Sequence, residues 1–326
     1  MRILVTGGAG YIGSHTVRLL ISRGHQVTVY DNLSMGHRAA VPADHLVVGD
    51  LKDLDHLDHV LLIHRIEAVV HFAANAFVGE SVVNPAKYYQ NNLINTLSLM
   101  ERMRRHNIGR IVFSSTCATF GTPEKLPIVE ETPQQPINPY GWSKLLVEQA
   151  LTDYAAAYGW GFAALRYFNA AGASPKGDIG EDHEPETHLI PLVLQTILGQ
   201  RPQIEIFGTD YPTSDGTCVR DYVHVDDLAE AHILALEKLQ SGTAMKYNVG
   251  IGQGYSVREV IQTAEKITGR SVAVKEGRRR AGDPAELVAS PARIMKELGW
   301  RPKYLELEPI VETAWRWHQA HPKGYR

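Results

Sequence analysis

The sequence predicts an α/β fold, in which a doubly wound parallel sheet is followed by a smaller α+β domain. Short β-branched apolar runs alternate with helix-patterned segments from residue 1 to about 168, as in a parallel sheet covered by helices. That alternation ends near Asn169, and 326 residues suffice for about two domains. We therefore expect domains at 1–168 and 169–326, with segments around 220–250 able to return to the first domain.

The predicted strands are short and mostly apolar, as expected for strands that are buried on both faces of a sheet. They are Ile3–Thr6, Val27–Tyr30, Leu46–Val48, Ala68–Phe72, Arg110–Ser114 and Phe162–Tyr167. Helical patterns follow at Ile12–Arg23, Tyr88–Arg105, after Pro139 and at Asp226–Leu239. In the second half, residues 172–187 and 208–217 have the composition of long loops, which are often functional.

The composition excludes several classes of protein. With 33 basic and 36 acidic residues the net charge is −3, so nothing indicates a nucleic-acid partner. Two cysteines, Cys117 and Cys218, are too few for a disulfide framework or a four-cysteine zinc site. We see no secretory signal and no unbroken run of ~20 apolar residues, so we expect a cytoplasmic protein without a membrane span.

A glycine-rich motif directly follows the first predicted strand. It reads Gly7-Gly8-Ala9-Gly10-Tyr11-Ile12-Gly13 and opens a predicted helix. Glycines allow a tight turn and a close approach to a pyrophosphate, and the helix N-terminus supplies free N–H groups. Asp31, at the end of the second strand, is placed to accept hydrogen bonds from the adenosine ribose and to repel a 2′-phosphate. Together these features predict a Rossmann-type site that prefers NAD to NADP.

A second motif is typical of proton transfer at a hydroxyl group. In Tyr140-Gly141-Trp142-Ser143-Lys144, the tyrosine and lysine lie one helical turn apart. A phenol with a pKa of ~10 is a poor base, but a nearby ammonium and an oxidised nicotinamide would favour the phenolate. Alone, such a pair is also common on solvated helices. Ser114-Ser115-Thr116 ends a predicted strand at the sheet edge where ligands bind, and could hydrogen-bond a substrate hydroxyl or carbonyl.

These motifs resemble the extended short-chain dehydrogenase/reductase superfamily and, more closely, the UDP-glucose 4-epimerases. The resemblance covers nearly the whole chain and includes His71-Phe72-Ala73-Ala74, Val78-Gly79-Glu80-Ser81, Arg166-Tyr167-Phe168-Asn169 and Arg280-Ala281-Gly282-Asp283. The segments Asp210-Tyr211-Pro212-Thr213 and Val219–Val225 are its most specific parts. It implies that UDP-glucose and UDP-galactose are interconverted by C4 inversion, through a transient 4-keto sugar and tightly bound NAD.

The resemblance also implies roles for individual residues. Tyr140 would be the catalytic base and acid, Lys144 its partner, and Thr116 the hydroxyl that assists at the sugar O4. The NAD-binding set would be Gly7, Gly10, Tyr11, Ile12, Gly13, Asp31, Asn32, Ser34, Asp50, Leu51, Phe72, Ala73, Ala74, Asn91, Ser114, Tyr140, Lys144 and Phe168. The UDP-hexose set would be Thr116, Tyr140, Asn169, Leu189, Phe207, Arg220, Arg280, Asp283 and Leu287. Arginine binds phosphate oxygens bidentately, which suits Arg220 and Arg280 to the diphosphate.

The chain departs from the family pattern at two positions. Asn75-Ala76-Phe77 stands where some epimerases have a lysine, so that lysine's role cannot be transferred. Leu287 stands where some carry a bulky aromatic residue, and the smaller side chain would leave room for an N-acetyl group. Broader specificity, for UDP-GlcNAc and UDP-GalNAc, is therefore an alternative. The family also implies a homodimer through helices at Tyr88–Arg105 and Ser143–Tyr158.

Other activities are less well supported. A dehydratase of this superfamily typically has Asp-Glu after the strand-end threonine, whereas Thr116 is followed by Cys117-Ala118. A net dehydrogenase stays open, and a non-catalytic NAD-binding sensor need not combine these catalytic residue types. The histidines at 56, 59 and 64 are interpreted as a solvated helix face, so no metal is expected. No G-x-S-x-G motif indicates a serine hydrolase.

Overall fold

A seven-stranded parallel sheet forms the centre of the larger lobe in the computed structural model, which describes residues 1–280 and 283–326. Its strands are β1 (Arg2–Thr6), β2 (Gln26–Asp31), β3 (Leu46–Val48), β4 (Ala68–His71), β5 (Arg110–Thr116), β6 (Gly161–Tyr167) and β10 (Ala244–Val249). The order is β10-β6-β5-β4-β1-β2-β3, and every pairing is parallel. The doubly wound fold class is confirmed, and the six predicted strands agree with the observed bounds to within two residues.

Helices cover both faces of this sheet. They are α1 (Tyr11–Ser22), α2 (Leu54–Ile63), α3 (Val78–Val83), α4 (Pro85–Tyr88), α5 (Asn95–Arg105), α6 (Pro139–Tyr158) and α8 (Val225–Lys238). Successive side chains of a strand point to opposite faces. Val5 of β1 accordingly packs in one apolar cluster with Leu20 of α1, whereas Leu4 packs in another with Leu99 of α5 and Leu151 of α6.

The segment predicted as a single helix at Tyr88–Arg105 is interrupted. A π-helical turn at Tyr89–Ile94 separates α4 from α5. The buried side chain of Asn92, in this turn, accepts from the Asn75 N–H at 2.8 Å and donates to the Asn75 carbonyl at 2.9 Å. It also donates to Ser143 Oγ, at 3.2 Å. The irregular turn thus places one amide where it joins the segment after β4 to helix α6.

The smaller lobe is of the α+β type, as predicted. Its elements are β7 (Asn169–Ala171), α7 (Leu189–Ile197), β8 (Ile204–Phe207), β9 (Val219–His224), β11 (Gly254–Ser256), α9 (Val257–Thr268), β12 (Val274–Gly277), β13 (Glu286–Leu287) and α11 (Leu307–Ala320). Helix α10 (Ala292–Leu298) instead packs on the larger lobe, against β10 and α8. Strand β9 pairs antiparallel with β11 and parallel with β7 and β13, while β8 pairs with β12. Val193, Val260 and Ile310 lie in this lobe's core. Short 3-10 turns occur at Arg38–Ala40, Ala43–His45 and Cys117–Phe120.

The second half of the chain contributes to both lobes. After β6 the chain leaves the large sheet and forms β7 from Asn169, but β10 later returns beside β6. Helix α8 packs next to α1, where Arg23 bridges Glu230. Within the described residues, no helix has both the length and the apolar character needed to cross a membrane.

Candidate functional site

One cavity of about 1580 Å³ lies beyond the carboxyl ends of the central strands and extends into the smaller lobe. Strand order reverses between β1 and β4, which is where ligands bind in doubly wound sheets. Every residue that the sequence assigned to NAD or to the UDP-hexose lines this cavity. Folding therefore brings residues from Gly7 to Leu287 together around one cavity.

The glycine turn is shaped for close approach. Gly7 has φ of +69°, and a Cβ there would lie 2.5 Å from the backbone nitrogen of Ala73. A Cβ on Gly13 would lie 2.3 Å from the Gly7 carbonyl oxygen. Helix α1 begins after Gly10 with no side-chain cap, so its first N–H groups are free to bind an anion. These features fit the pyrophosphate of NAD.

Acidic and amide side chains lie near the glycine turn, at the end of β2 and in the segments that follow β2 and β3. Asp31 is buried at the end of β2, and its two oxygens accept from Ala9 N at 2.9 Å and Leu33 N at 2.8 Å. Burial raises the pKa of the Asp31 carboxyl above its usual range. Asn32 donates to Asp50 Oδ2 at 2.9 Å, and Ser34 Oγ donates to Asn32. This arrangement suits ribose hydroxyls better than the extra phosphate of NADP.

The first turns of α6 hold the proposed catalytic pair. Asn138 caps this helix by accepting from Gly141 N at 2.8 Å, and it places Tyr140 and Lys144 in the buried wall of the cavity. Lys144 Nζ donates to the Ser114 carbonyl at 2.8 Å and lies 4.9 Å from the centre of the Phe113 ring. The sequence predicts a helix after Pro139, and the observed start at Pro139 agrees with it, although the capping role of Asn138 was not predicted.

Burial dominates the electrostatics of this pair. It lowers the pKa of Lys144 to about 7. Burial, together with the nearby Tyr167 hydroxyl, raises the pKa of Tyr140 well above the normal range of a phenol. Thr116 lies close to Tyr140 and its hydroxyl opposes that rise. The expected phenolate therefore requires further positive charge in the cavity, beyond what Lys144 provides.

Three arginines, Arg201, Arg220 and Arg280, line the cavity, and the sequence assigned the last two to the UDP-hexose. Arg220, on β9, pairs with Asp283 at 2.9 Å, and only 13% of its side chain is exposed. The Arg280 guanidinium lies 3.9 Å above the centre of the Phe207 ring. Sequence reasoning assigned Arg220 and Asp283 separate roles and missed their ion pair, because they lie 63 positions apart.

An apolar patch adjoins these charges. Leu287 packs with Cys117 and Phe168 in a small buried cluster. The same burial raises the pKa of the Cys117 thiol to about 12, so this cysteine behaves as a packing residue beside Thr116.

Two further features were missed from the sequence. Tyr167, on β6, forms a short hydrogen bond with Ser114 and lines the cavity. The loop before α7 brings together Glu181, His183, Glu186 and His188. This is the one set of potential metal ligands that converges among the described residues, and the histidines of α2 do not form another. Its Glu-x-His-x-x-Glu-x-His spacing was a usable signal.

Comparisons with known proteins agree with this geometry. Residues 3–250 match the profile of the NAD dependent epimerase/dehydratase family. The UDP-glucose 4-epimerase of Halalkalibacterium halodurans is 52% identical, over 100% of this chain and 98% of that protein. The crystal structure of UDP-glucose 4-epimerase from Brucella ovis in complex with NAD has a TM-score of 0.93 and 50% identity, covering 96% of this chain and 97% of that one. The Bifidobacterium longum enzyme in complex with NAD⁺ and UDP has a TM-score of 0.95 at 38% identity, covering 99% of both chains.

Proposed function

The chain belongs to the NAD dependent epimerase/dehydratase family, as a member of its UDP-glucose 4-epimerases, and from that premise we propose that it interconverts UDP-glucose and UDP-galactose. The reaction inverts C4 through a transient 4-keto sugar, with NAD as the cofactor. The observation that carries this proposal is that a dinucleotide turn, a buried Tyr-Lys pair and two arginines share one cavity. Bound NAD supplies the reversible hydride acceptor for C4.

The residues of the larger lobe would bind the cofactor and move the proton. The glycine turn and the start of α1 hold the pyrophosphate, and Asp31 holds the adenosine ribose. Tyr140 removes the proton from the sugar 4-hydroxyl and returns it after inversion. Thr116 holds O4 close to Tyr140. Lys144, fixed by the Ser114 carbonyl, lies one turn from Tyr140 and binds the nicotinamide ribose.

The residues of the smaller lobe would anchor one end of the substrate. Arg220 and Arg280 bind the diphosphate, and Asp283 binds the uridine ribose. The hexose end would lie beside Leu287, an apolar side chain that offers no hydrogen bond to a sugar. Strong anchoring at the nucleotide and weak contact at the hexose would let the keto sugar present its other face to the cofactor.

We also propose a cytoplasmic homodimer. Helix α6 carries exposed apolar side chains at Trp142 and Leu146, and Ile94 is exposed in the turn before α5. Paired helices would cover these side chains. Free, buried thiols at Cys117 and Cys218 are compatible with a reducing compartment.

A cofactor-free assay tests the reaction. Purified protein given UDP-galactose and no added nucleotide is expected to form UDP-glucose without net NADH. Tyr140→Phe is expected to lower kcat by about 10²–10⁴-fold while NAD stays bound, because only the proton-transfer group is lost. Tyr158→Phe, at the exposed end of the same helix, is the matched control. A strict need for added NAD with net NADH release would instead indicate a dehydrogenase, and full activity in Tyr140→Phe would remove that residue's role.

A further inference from the structure

The loop between β7 and α7 carries a group of potential metal-ligand side chains to which the proposed reaction gives no role, although they line the same cavity and end next to Leu189. One ligand atom from each of Glu181, His183, Glu186 and His188 lies within 4.8 Å of all the others. The four residues occur within eight positions of sequence, in a segment without regular secondary structure. These four residues form the Glu-His cluster.

The contacts within the Glu-His cluster leave one nitrogen unsatisfied. His183 Nδ1 lies 3.3 Å from Glu181 Oε1 and 3.6 Å from Glu186 Oε2. This atom is buried, yet it has no hydrogen-bond partner. His188 Nδ1 contacts the same Glu181 oxygen. Glu181 is itself only 4% exposed, so two imidazoles converge on one buried carboxylate.

Neighbouring groups hold these side chains in place. The Trp317 indole N–H donates to the Glu181 carbonyl at 3.1 Å. Glu186 Oε1 accepts from the backbone N–H groups of Thr187 and His188, at 2.7 and 2.8 Å, which leaves its Oε2 directed at the cluster. Such supporting hydrogen bonds are what fix ligand orientation around metal ions.

Aromatic rings complete the surroundings of the Glu-His cluster. The His183 ring packs edge-on against Tyr11 at 6.3 Å and Phe77 at 6.2 Å between ring centres. Tyr11 is the first residue of α1, and His188 directly precedes α7. The cluster therefore lies where the loop meets both the glycine turn of the larger lobe and a helix of the smaller one.

We infer that the Glu-His cluster is a structural zinc site. Two imidazole nitrogens and two carboxylate oxygens form a four-ligand set that Zn²⁺ accepts, whereas Mg²⁺ and Ca²⁺ prefer oxygen alone. Zn–N and Zn–O bonds of about 2.0–2.2 Å place tetrahedral ligand atoms roughly 3.3–3.6 Å apart. The two His183 distances, 3.3 and 3.6 Å, have these lengths, whereas the shorter contact between His188 and Glu181 must lengthen when an ion enters. Because all four ligands come from the protein, the ion would fasten the loop to α1 and α7 and take no part in the chemistry.

Metal binding to the full-length, tag-free protein tests this inference. After treatment with a chelator and buffer exchange, equilibrium dialysis against Zn²⁺ is expected to give about one ion per chain, with a raised Tm. Equal Mg²⁺ is expected to change neither. The variant His188→Gln, whose side chain is 43% exposed, is expected to keep the fold and to weaken Zn²⁺ binding at least tenfold. The double variant with His183→Gln is expected to weaken it further. His59→Gln, on the exposed face of α2, is the matched control.

Cobalt gives a readout of geometry that is independent of stability. Co²⁺ in the full-length protein is expected to show the intense visible absorption of a tetrahedral site, and His188→Gln is expected to lose it. Absence of Zn²⁺ binding at a tenfold excess would overturn the inference and leave the Glu-His cluster as ion pairs alone. Binding that His188→Gln and the double variant leave unchanged would also overturn it, because the ion would then lie elsewhere. Neither result decides whether the chain is an epimerase, because that test follows the turnover of UDP-galactose and not the metal content.

Discussion

At the scale of single residues, Lys144 illustrates how a site residue can oppose stability. Its ammonium is buried, and its protein contacts are the Ser114 carbonyl at 2.8 Å and the face of the Phe113 ring. No carboxylate contributes to its pKa, which burial alone lowers to about 7. A buried lysine without an acidic partner is unfavourable for folding, and the catalytic role proposed for Lys144 would explain why it is present.

The substitution Lys144→Met is expected to stabilise the cofactor-free protein by about 2 kcal/mol at pH 7 while abolishing epimerisation. In the unfolded chain this lysine binds a proton up to its ordinary pKa of 10.5, but in the folded protein only up to about 7. Between these values the unfolded state binds more protons, so this residue makes the free energy of unfolding rise with pH. The variant lacks that contribution. The difference in free energy of unfolding between the variant and the wild type should therefore shrink from pH 7 to pH 9.

Urea unfolding at the two pH values measures this effect. Lys296→Met, on the exposed surface of α10, is the control and is expected to follow the wild type at both. A Lys144→Met variant with the same pH slope as the wild type would show that the buried amine does not titrate as described.

At the scale of elements, the sequence predicts well where local patterns decide the structure. The strands of the large sheet are short apolar runs rich in β-branched residues and bounded by polar ones, and this length and composition favour strands over helices. The π-helical turn at Tyr89–Ile94 was not predictable, because Asn92 is held by Asn75 and Ser143, which are distant in sequence. The Glu-His cluster was missed although the spacing of its four residues is visible in the sequence, because the sequence does not show that the loop folds so that they converge.

The two-residue strand β13 is a further element that no pattern predicts, and it bears on substrate choice. It pairs with β9 so that Leu287 lies opposite Arg220. This register places a branched aliphatic side chain next to the proposed diphosphate-binding arginine and against Phe168. The size of residue 287 would therefore limit what the hexose carries at C2.

We predict that the wild-type protein also epimerises UDP-N-acetylglucosamine. Leu287→Tyr should lower kcat/KM for this substrate about tenfold more than for UDP-galactose, because the added phenol occupies the space of the N-acetyl group. Coupled assays with both substrates measure the ratio, and Leu305→Tyr, at an exposed position, is the control. No detectable turnover of the N-acetylated substrate by the wild type would contradict the prediction.

At the scale of the whole molecule, long-range contacts bring together motifs that are far apart in the sequence. The glycine turn, the proposed catalytic pair and the proposed substrate residues line a single cavity, although they span positions 7 to 287. The sequence identified these residues by type and motif, but it could not predict that Arg220 would pair with Asp283 or that Arg280 would stack on Phe207. Those contacts depend on how β9, β8 and the segment at 283 meet in the smaller lobe.

The protein has a net charge of −3, yet its proposed substrate is dianionic. Binding therefore depends on where the positive charges lie in the molecule. Charges farther apart than about 8 Å are largely screened at physiological ionic strength, so the local arginines should decide binding. Arg280→Gln is expected to weaken UDP binding about 10–100-fold with little change in Tm, since its side chain is exposed and a charge-assisted phosphate contact contributes about 1.5–3 kcal/mol.

Arg104→Gln makes the same change in net charge near the amino ends of β5 and β6, far from the cavity. Isothermal titration with UDP at 0.15 M salt should therefore give this variant a Kd within about twofold of the wild type. Similar weakening in both variants would mean that the overall field of the protein governs binding. Weakening confined to Arg280→Gln would mean that a globally acidic molecule binds its substrate through positive charge placed only where the diphosphate lies.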